Sequence, residues 1–128
     1  MTPTSNNAPL LSTLESYLKL TATREQSISA NMANVDTPGY HTRDINFEGE
    51  LQKAMSTNVN ESSTGGFNAQ LTPVVQDVPG LIERPDGNNV SLDREGLMMA
   101  QTQLQYQIGI QLIKHHFHGL ITAINGGN

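Results

Sequence analysis

Apolar residues return along the first third of the chain in alternating steps of three and four. Leu11, Leu14, Leu18, Thr21, Glu25, Ile28, Met32 and Val35 fall in turn on the a and d positions of a helix that packs lengthwise on another helix. The spacing predicts a helix from about Leu10 to about Asn34. Thr21 and Glu25 weaken the seam at its middle, so the pattern describes an amphipathic helix that needs a partner rather than a self-sufficient coiled coil. The same step returns near the other end in Met99, Gln103, Tyr106, Ile110, Ile113, Phe117, Leu120 and Ile124. Here Leu97, Leu104, Ile108 and Leu112 add a second apolar stripe beside the first, more than one partner helix can cover.

Between these runs the periodicity breaks. Pro38 pushes Thr37 out of the helical region and Gly39 supplies the positive φ of a type II turn, so the first helix stops within Asn34-Val35-Asp36-Thr37-Pro38-Gly39-Tyr40. An extended arm is expected from Tyr40 to about Phe47, then a short helix over Glu48 to Met55 with Leu51, Ala54 and Met55 inward. Ser, Thr, Asn and Gly dominate from Ser56 to about Gln70 and predict a mobile loop. Pro73, Pro79 and Pro85, with the turn signal Pro85-Asp86-Gly87-Asn88, predict a hairpin joining Leu81–Arg84 to Asn89–Leu92. The second long helix starts near Asp93, the favoured cap, with Ser91 its rival, and stops at Gly126-Gly127. The fold class is therefore mainly α, with long N- and C-terminal helices and a small extended or β-hairpin middle. The divisions fall at residues 1–36, 37–92 and 93–128. At 1.5 Å per residue a helix of roughly 30 residues reaches about 45 Å, far beyond what a compact domain of this size needs. Two such helices imply an elongated hairpin whose remaining apolar face awaits neighbours.

Composition narrows the choices. Only 36% of the 128 residues are hydrophobic and there is no tryptophan, so an interior has to come from Leu, Ile and Met on helices. A net charge of -5 and scattered Lys and Arg argue against nucleic acid, whose phosphates demand clustered cations. Without cysteine there is neither a disulfide framework nor a thiolate metal site. The first thirty residues lack a basic start, an apolar run and a cleavage site, and no stretch approaches a membrane span. Export, if it occurs, is expected to leave the chain uncleaved.

Candidate chemistry adds little. His115 and His118, three apart on a helix, can reach one ion, but His116 points elsewhere, and neither a His-Glu-x-x-His pattern nor a neighbouring carboxylate completes a ligand set. A subunit-facing or pH-sensitive histidine cluster is the simpler reading. Asp93 and Glu95 lie on different helix faces and do not make an acid/base pair. No nucleophile elbow or phosphate loop is present, so no catalytic residue, cofactor, metal or small-molecule substrate is expected. The sequon Asn60-Glu61-Ser62 is of a kind frequent by chance, and the methionines read as adaptable packing.

The segment Ser29-Ala30-Asn31-Met32-Ala33-Asn34-Val35-Asp36-Thr37-Pro38-Gly39-Tyr40 resembles the signature of the flagellar rod and hook axial proteins, in which a helix ends in Ala-Asn, two variable residues and Thr-Pro-Gly-Tyr. Ala33, Asn34, Thr37, Pro38, Gly39 and Tyr40 carry it. His41-Thr42-Arg43-Asp44-Ile45-Asn46-Phe47, Asp86-Gly87-Asn88-Asn89-Val90 and Leu92-Asp93-Arg94-Glu95 are similar to the proximal-rod members. Gly96 and the histidine cluster depart from that pattern. The resemblance implies a structural subunit of the basal-body rod whose terminal helices pair as an antiparallel coiled coil. It implies Leu11, Leu14, Leu18, Ile28 and Met32 facing Tyr106, Ile110, Ile113, Phe117 and Leu120. It also implies export through the flagellar type III apparatus to a periplasmic rod, homo- and hetero-oligomeric assembly, and other rod proteins, a rod-base adaptor, a membrane ring and the export gate as partners. The rivals are another rod or hook component, or a two-helix metal-responsive adaptor using the histidines.

Overall fold

A computed structural model describes residues 7–60 and 72–126, with side chains over 10–56 and 72–126. Five elements follow one another: α1 Asn7–Ala33, β1 Arg43–Ile45, α2 Phe47–Asn60, β2 Val75–Asp77 and α3 Leu92–Asn125. The chain is mainly helical, and the two terminal helices pack on each other. Their direction follows from two contacts: Asn31 of α1 bonds Glu95 of α3, while a side-chain carbon on Gly109 would meet Leu18. Moving up α1 is moving down α3, so the pair is antiparallel. With 34 residues, α3 is about 50 Å long.

Two expectations about the middle change. Leu81–Arg84 and Asn89–Leu92 do not pair as a hairpin; the two-stranded antiparallel sheet instead joins β1 to β2, with Arg43 opposite Asp77, Asp44 opposite Gln76 and Ile45 opposite Val75. The reason lies in Asn88. Its backbone accepts from Arg84 N–H while its side chain is spent on the turn that follows α1, so residues 84–90 curl into a compact loop instead of extending. The short helix continues to Asn60, past the expected boundary at Met55, and residues 61–70 of the expected loop lie outside the described residues. Ser91, not Asp93, caps α3 by accepting from Arg94 N–H at 3.3 Å. Asp93 and Glu95 then sit in the first turn, where the helix dipole favours carboxylates. Gly126 ends α3, and Gly127 lies outside the described residues.

The interior is divided. Among the described residues six apolar side chains are buried (Leu14, Leu20, Ile28, Ile45, Ala54 and Val90) against eight polar ones, so hydrogen bonding, not apolar volume, selects much of this arrangement. One aromatic contact ties α1 to α2: Tyr17 and Phe47 meet edge to face at 5.5 Å, with Arg24 over the Phe47 ring. Desolvation raises the Tyr17 phenol above its ordinary 10.0. A group whose neutral form the fold favours contributes stability that is complete below the unfolded value and lost as pH rises through the folded one. The melting temperature should therefore fall more steeply above about pH 10 in the parent than in Tyr17→Phe. Superimposable curves over that range would contradict the assignment.

Candidate functional site

The end of α1 shows why the signature needs its residue types. Asn34 donates its side-chain amide back to Ala30 O at 2.8 Å and accepts from the Thr37 hydroxyl at 3.0 Å. The side chain of Asn34 thus adds to the backbone bonds that Asn34 and Val35 N–H make back to Ala30 O and Met32 O, and among the described residues only glycines have positive φ. Thr37-Pro38-Gly39-Tyr40 then forms the reverse turn, Tyr40 N–H donating to Thr37 O and Gly39 at φ +77°.

A second loop grips this turn. Asn88 is fully buried: its amide nitrogen donates to Asn34 O at 2.9 Å and Thr37 O at 2.8 Å, and its side-chain oxygen accepts from Val90 N–H and the Arg84 guanidinium. Arg84 also donates to Val35 O. Gly39 N–H donates to Asp86 O, and a side-chain carbon at Gly87 would fall 3.3 Å from Gly39 Cα, so the two glycines let the backbones touch. The carbonyls of Asn34, Val35 and Thr37, just past the end of α1, are thus satisfied from a loop far downstream, while Ala30 O, Asn31 O and Met32 O accept from Asn34 and Val35 N–H.

Asn31 is the hub. Its side-chain oxygen accepts from Arg43 N–H at 3.0 Å and from the Tyr40 phenol at 3.1 Å, and its nitrogen donates to Arg43 O at 2.8 Å and Glu95 Oε2 at 3.0 Å. The pairing with both backbone groups of Arg43 imitates a neighbouring strand and closes the free edge of β1. Glu95 is 1% exposed and takes Arg94 Nη1 on its other oxygen at 2.7 Å. Asp44 completes the anchorage through a forked ion pair to Arg24, at 3.1 and 3.0 Å. One side chain thus touches α1, the arm and α3 together. Both Asn31 and Asn88 stand inside the sequence motifs, yet hydrophobic spacing gives neither a role. The available signal was that Asn31 falls one position off the apolar seam, where a polar residue has to be spent inward.

The expected interface residues divide. Leu14 and Ile28 are buried; Leu11, Leu18, Met32, Ile110, Ile113 and Leu120 are half-buried. Tyr106 and Phe117 are 44% and 47% exposed. The row Glu95, Thr102, Gly109 and His116, spaced by sevens, lies inward on α3 in their place, its first three members buried and His116 half-buried. Exposed apolar side chains therefore flank the seam on both sides, including Leu104, Ile108 and Leu112 on one and Phe117 and Ile124 on the other. His115 and His118 are exposed and His116 meets Phe117 edge to face. Among the described residues no three His, Asp or Glu side chains are placed to hold a metal ion, and no helix is long and apolar enough to cross a membrane.

No protein-family model matches the chain. Curated relatives do. The chain is 37% identical over 125 residues to the flagellar basal body rod protein FlgB of Salmonella typhimurium, an overlap of 87% of this chain and 89% of the relative. It is 38% identical over 123 residues to the protein of the same description from Escherichia coli K12, with the same coverage. To that of Cereibacter sphaeroides it is 34% identical over 117 residues, covering 85% of this chain and 88% of the relative.

Proposed function

Since the chain belongs to the FlgB family of flagellar basal body rod proteins, we propose that it is a structural subunit of the rod that acts by packing and not by catalysis. The supporting observation on the molecule itself is the uncovered apolar surface on both flanks of α3, which a monomer has no reason to keep. The terminal segments, residues 1–36 and 93–128, then act as an antiparallel coiled coil whose outer stripes meet other subunits. Leu11, Leu14, Leu18, Ile28 and Met32 hold the inner seam with Ile110, Ile113 and Leu120, while Tyr106 and Phe117 serve at its border with neighbours.

The junction supplies stiffness. Ala33, Asn34, Thr37, Pro38, Gly39 and Tyr40 fix the angle at which the arm leaves the helix pair, and Asn31 and Asn88 lock that angle from two sides. A subunit of a drive shaft has to pass torque without bending at its turns, and satisfied buried polar networks are rigid. The rod lies within the basal body. Export through the flagellar type III apparatus into the periplasm, and contact with other rod proteins, the rod-base adaptor, the membrane ring and the export gate, complete the proposal.

The test is Leu104→Asp, at a side chain 58% exposed. In the isolated protein this surface change should move stability by no more than about 0.5 kcal/mol. In cells that lack their own copy of the protein, the variant should fail to restore swimming and rod assembly, because a carboxylate would be buried at a subunit contact. Swimming indistinguishable from the parent would remove the support for that face.

A further inference from the structure

The apolar pattern of α3 and its observed orientation disagree. Hydrophobic spacing puts the row Gln103, Ile110, Phe117 and Ile124 on the seam, whereas the molecule turns the row Glu95, Thr102, Gly109 and His116 inward. Adjacent positions stand about 100° apart at 3.6 residues per turn, so exchanging one row for the other while Ile113 and Leu120 stay half-buried in the seam turns α3 about its own axis by roughly half that, about 50°. Apolar burial favours the other rotation, since Ile110 and Phe117 would replace a glycine and a histidine. Something has to oppose it.

We propose that Glu95 is the positioning residue that holds α3 in its observed rotation, through its buried bond to Asn31, and so keeps Phe117 and Ile124 outside. Two features carry this. The carboxylate is 1% exposed and its oxygens are taken by Asn31 and Arg94, so turning the helix would tear a charged group from its buried partner. Gly109 gives the same rotation a close fit, Leu18 Cδ2 lying only 2.8 Å from where its side-chain carbon would be. A buried polar residue in a helix seam is known to select one register over better-packed rivals at a cost in stability. Asn31 is itself fixed by Arg43 and Tyr40, so the reference against which α3 is set is the arm.

The chain has no cysteine, so one introduced thiol reports one position. Tyr106→Cys and His116→Cys are made separately in the parent, in Glu95→Ala and in Glu95→Gln, and the rate of thiol labelling of the isolated protein is measured. Tyr106 is now exposed and His116 half-buried. In Glu95→Ala the helix should turn, so that position 106 labels roughly tenfold slower and position 116 faster, as expected for thiols exchanging surface and seam. Glu95→Gln keeps a bond to Asn31 and should label like the parent. Unchanged rates in Glu95→Ala overturn the proposal. So does faster labelling at both positions, which reports a loosened pair instead of a turned one, and so does reciprocal change in Glu95→Gln. Because the isolated protein is used, the outcome stands apart from the rod assignment.

Discussion

Replacing Asn31 by Leu should destabilise the protein by about 3–5 kcal/mol, enough to unfold much of a small domain at ambient temperature. The size of Leu is similar, so the loss is not a cavity. It is the orphaning of Arg43 N–H, Arg43 O, the Tyr40 phenol and one oxygen of a buried carboxylate, each of which now has Asn31 as a partner. Buried polar groups left without partners cost about 1–3 kcal/mol each, and exposure of the arm to water recovers part of the sum. Melting followed by far-ultraviolet circular dichroism should show the drop at any pH between 5 and 8.

Asn31→Asp separates the bonds from the space they fill. An aspartate still accepts from Arg43 and Tyr40, yet it cannot donate to Arg43 O, and it places a second carboxylate against Glu95, now 3.0 Å from the Asn31 nitrogen. Two carboxylates so close raise the folded-state titration of one of them. A raised carboxyl contributes stability that is complete below the unfolded value, about 4, and is lost as pH rises through the folded one. Asn31→Asp should therefore be weakest at neutral pH and recover on acidification, whereas Asn31→Leu should not. A pH-independent Asn31→Asp would mean that the two side chains do not meet.

What the residues disclosed in advance, and what they concealed, follows the same division. The two long helices were legible because period is a property of many positions at once, and the turn was legible because Pro38 and Gly39 act on their own backbones. The pairing of β1 with β2 was not. Three-residue strands carry no alternation to read, and the partner of Arg43 lies across residues whose local pattern is silent. The face that α3 turns inward departs in part from hydrophobic spacing for a different reason: Ile113 and Leu120 stay half-buried, while Tyr106 and Phe117 are exposed. Hydrophobic spacing treats Glu95, Thr102 and Gly109 as outward because they are polar or small, although a charged pair and a close backbone approach are two reasons to turn such residues inward. The same blindness hid Asn31 and Asn88, whose value lies in which carbonyls they reach.

Glycine in α3 offers a contrast that tests this packing without any change of charge. Gly96 and Gly119 have open space where a side-chain carbon would stand. Alanine at either should stabilise by about 0.5–1 kcal/mol, because glycine gives up more chain freedom in a helix. At Gly109 the added carbon would lie 2.8 Å from Leu18 Cδ2 and 3.0 Å from the Tyr17 ring. Both obstacles are side-chain ends that can give a little, so strain of about 1–3 kcal/mol sets itself against the same helical gain, and Gly109→Ala should lose only about 0–2 kcal/mol. Leucine there has no such accommodation. It has to push the helices apart over a full turn, uncovering Leu14 and Leu18, and should lose about 3–4 kcal/mol. Urea unfolding of the four variants gives the ordering directly. If Gly109→Ala proved as stabilising as Gly96→Ala, and Gly109→Leu no worse than neutral, α1 and α3 would not approach at that point, and the inward row that distinguishes this helix pair would lose its centre.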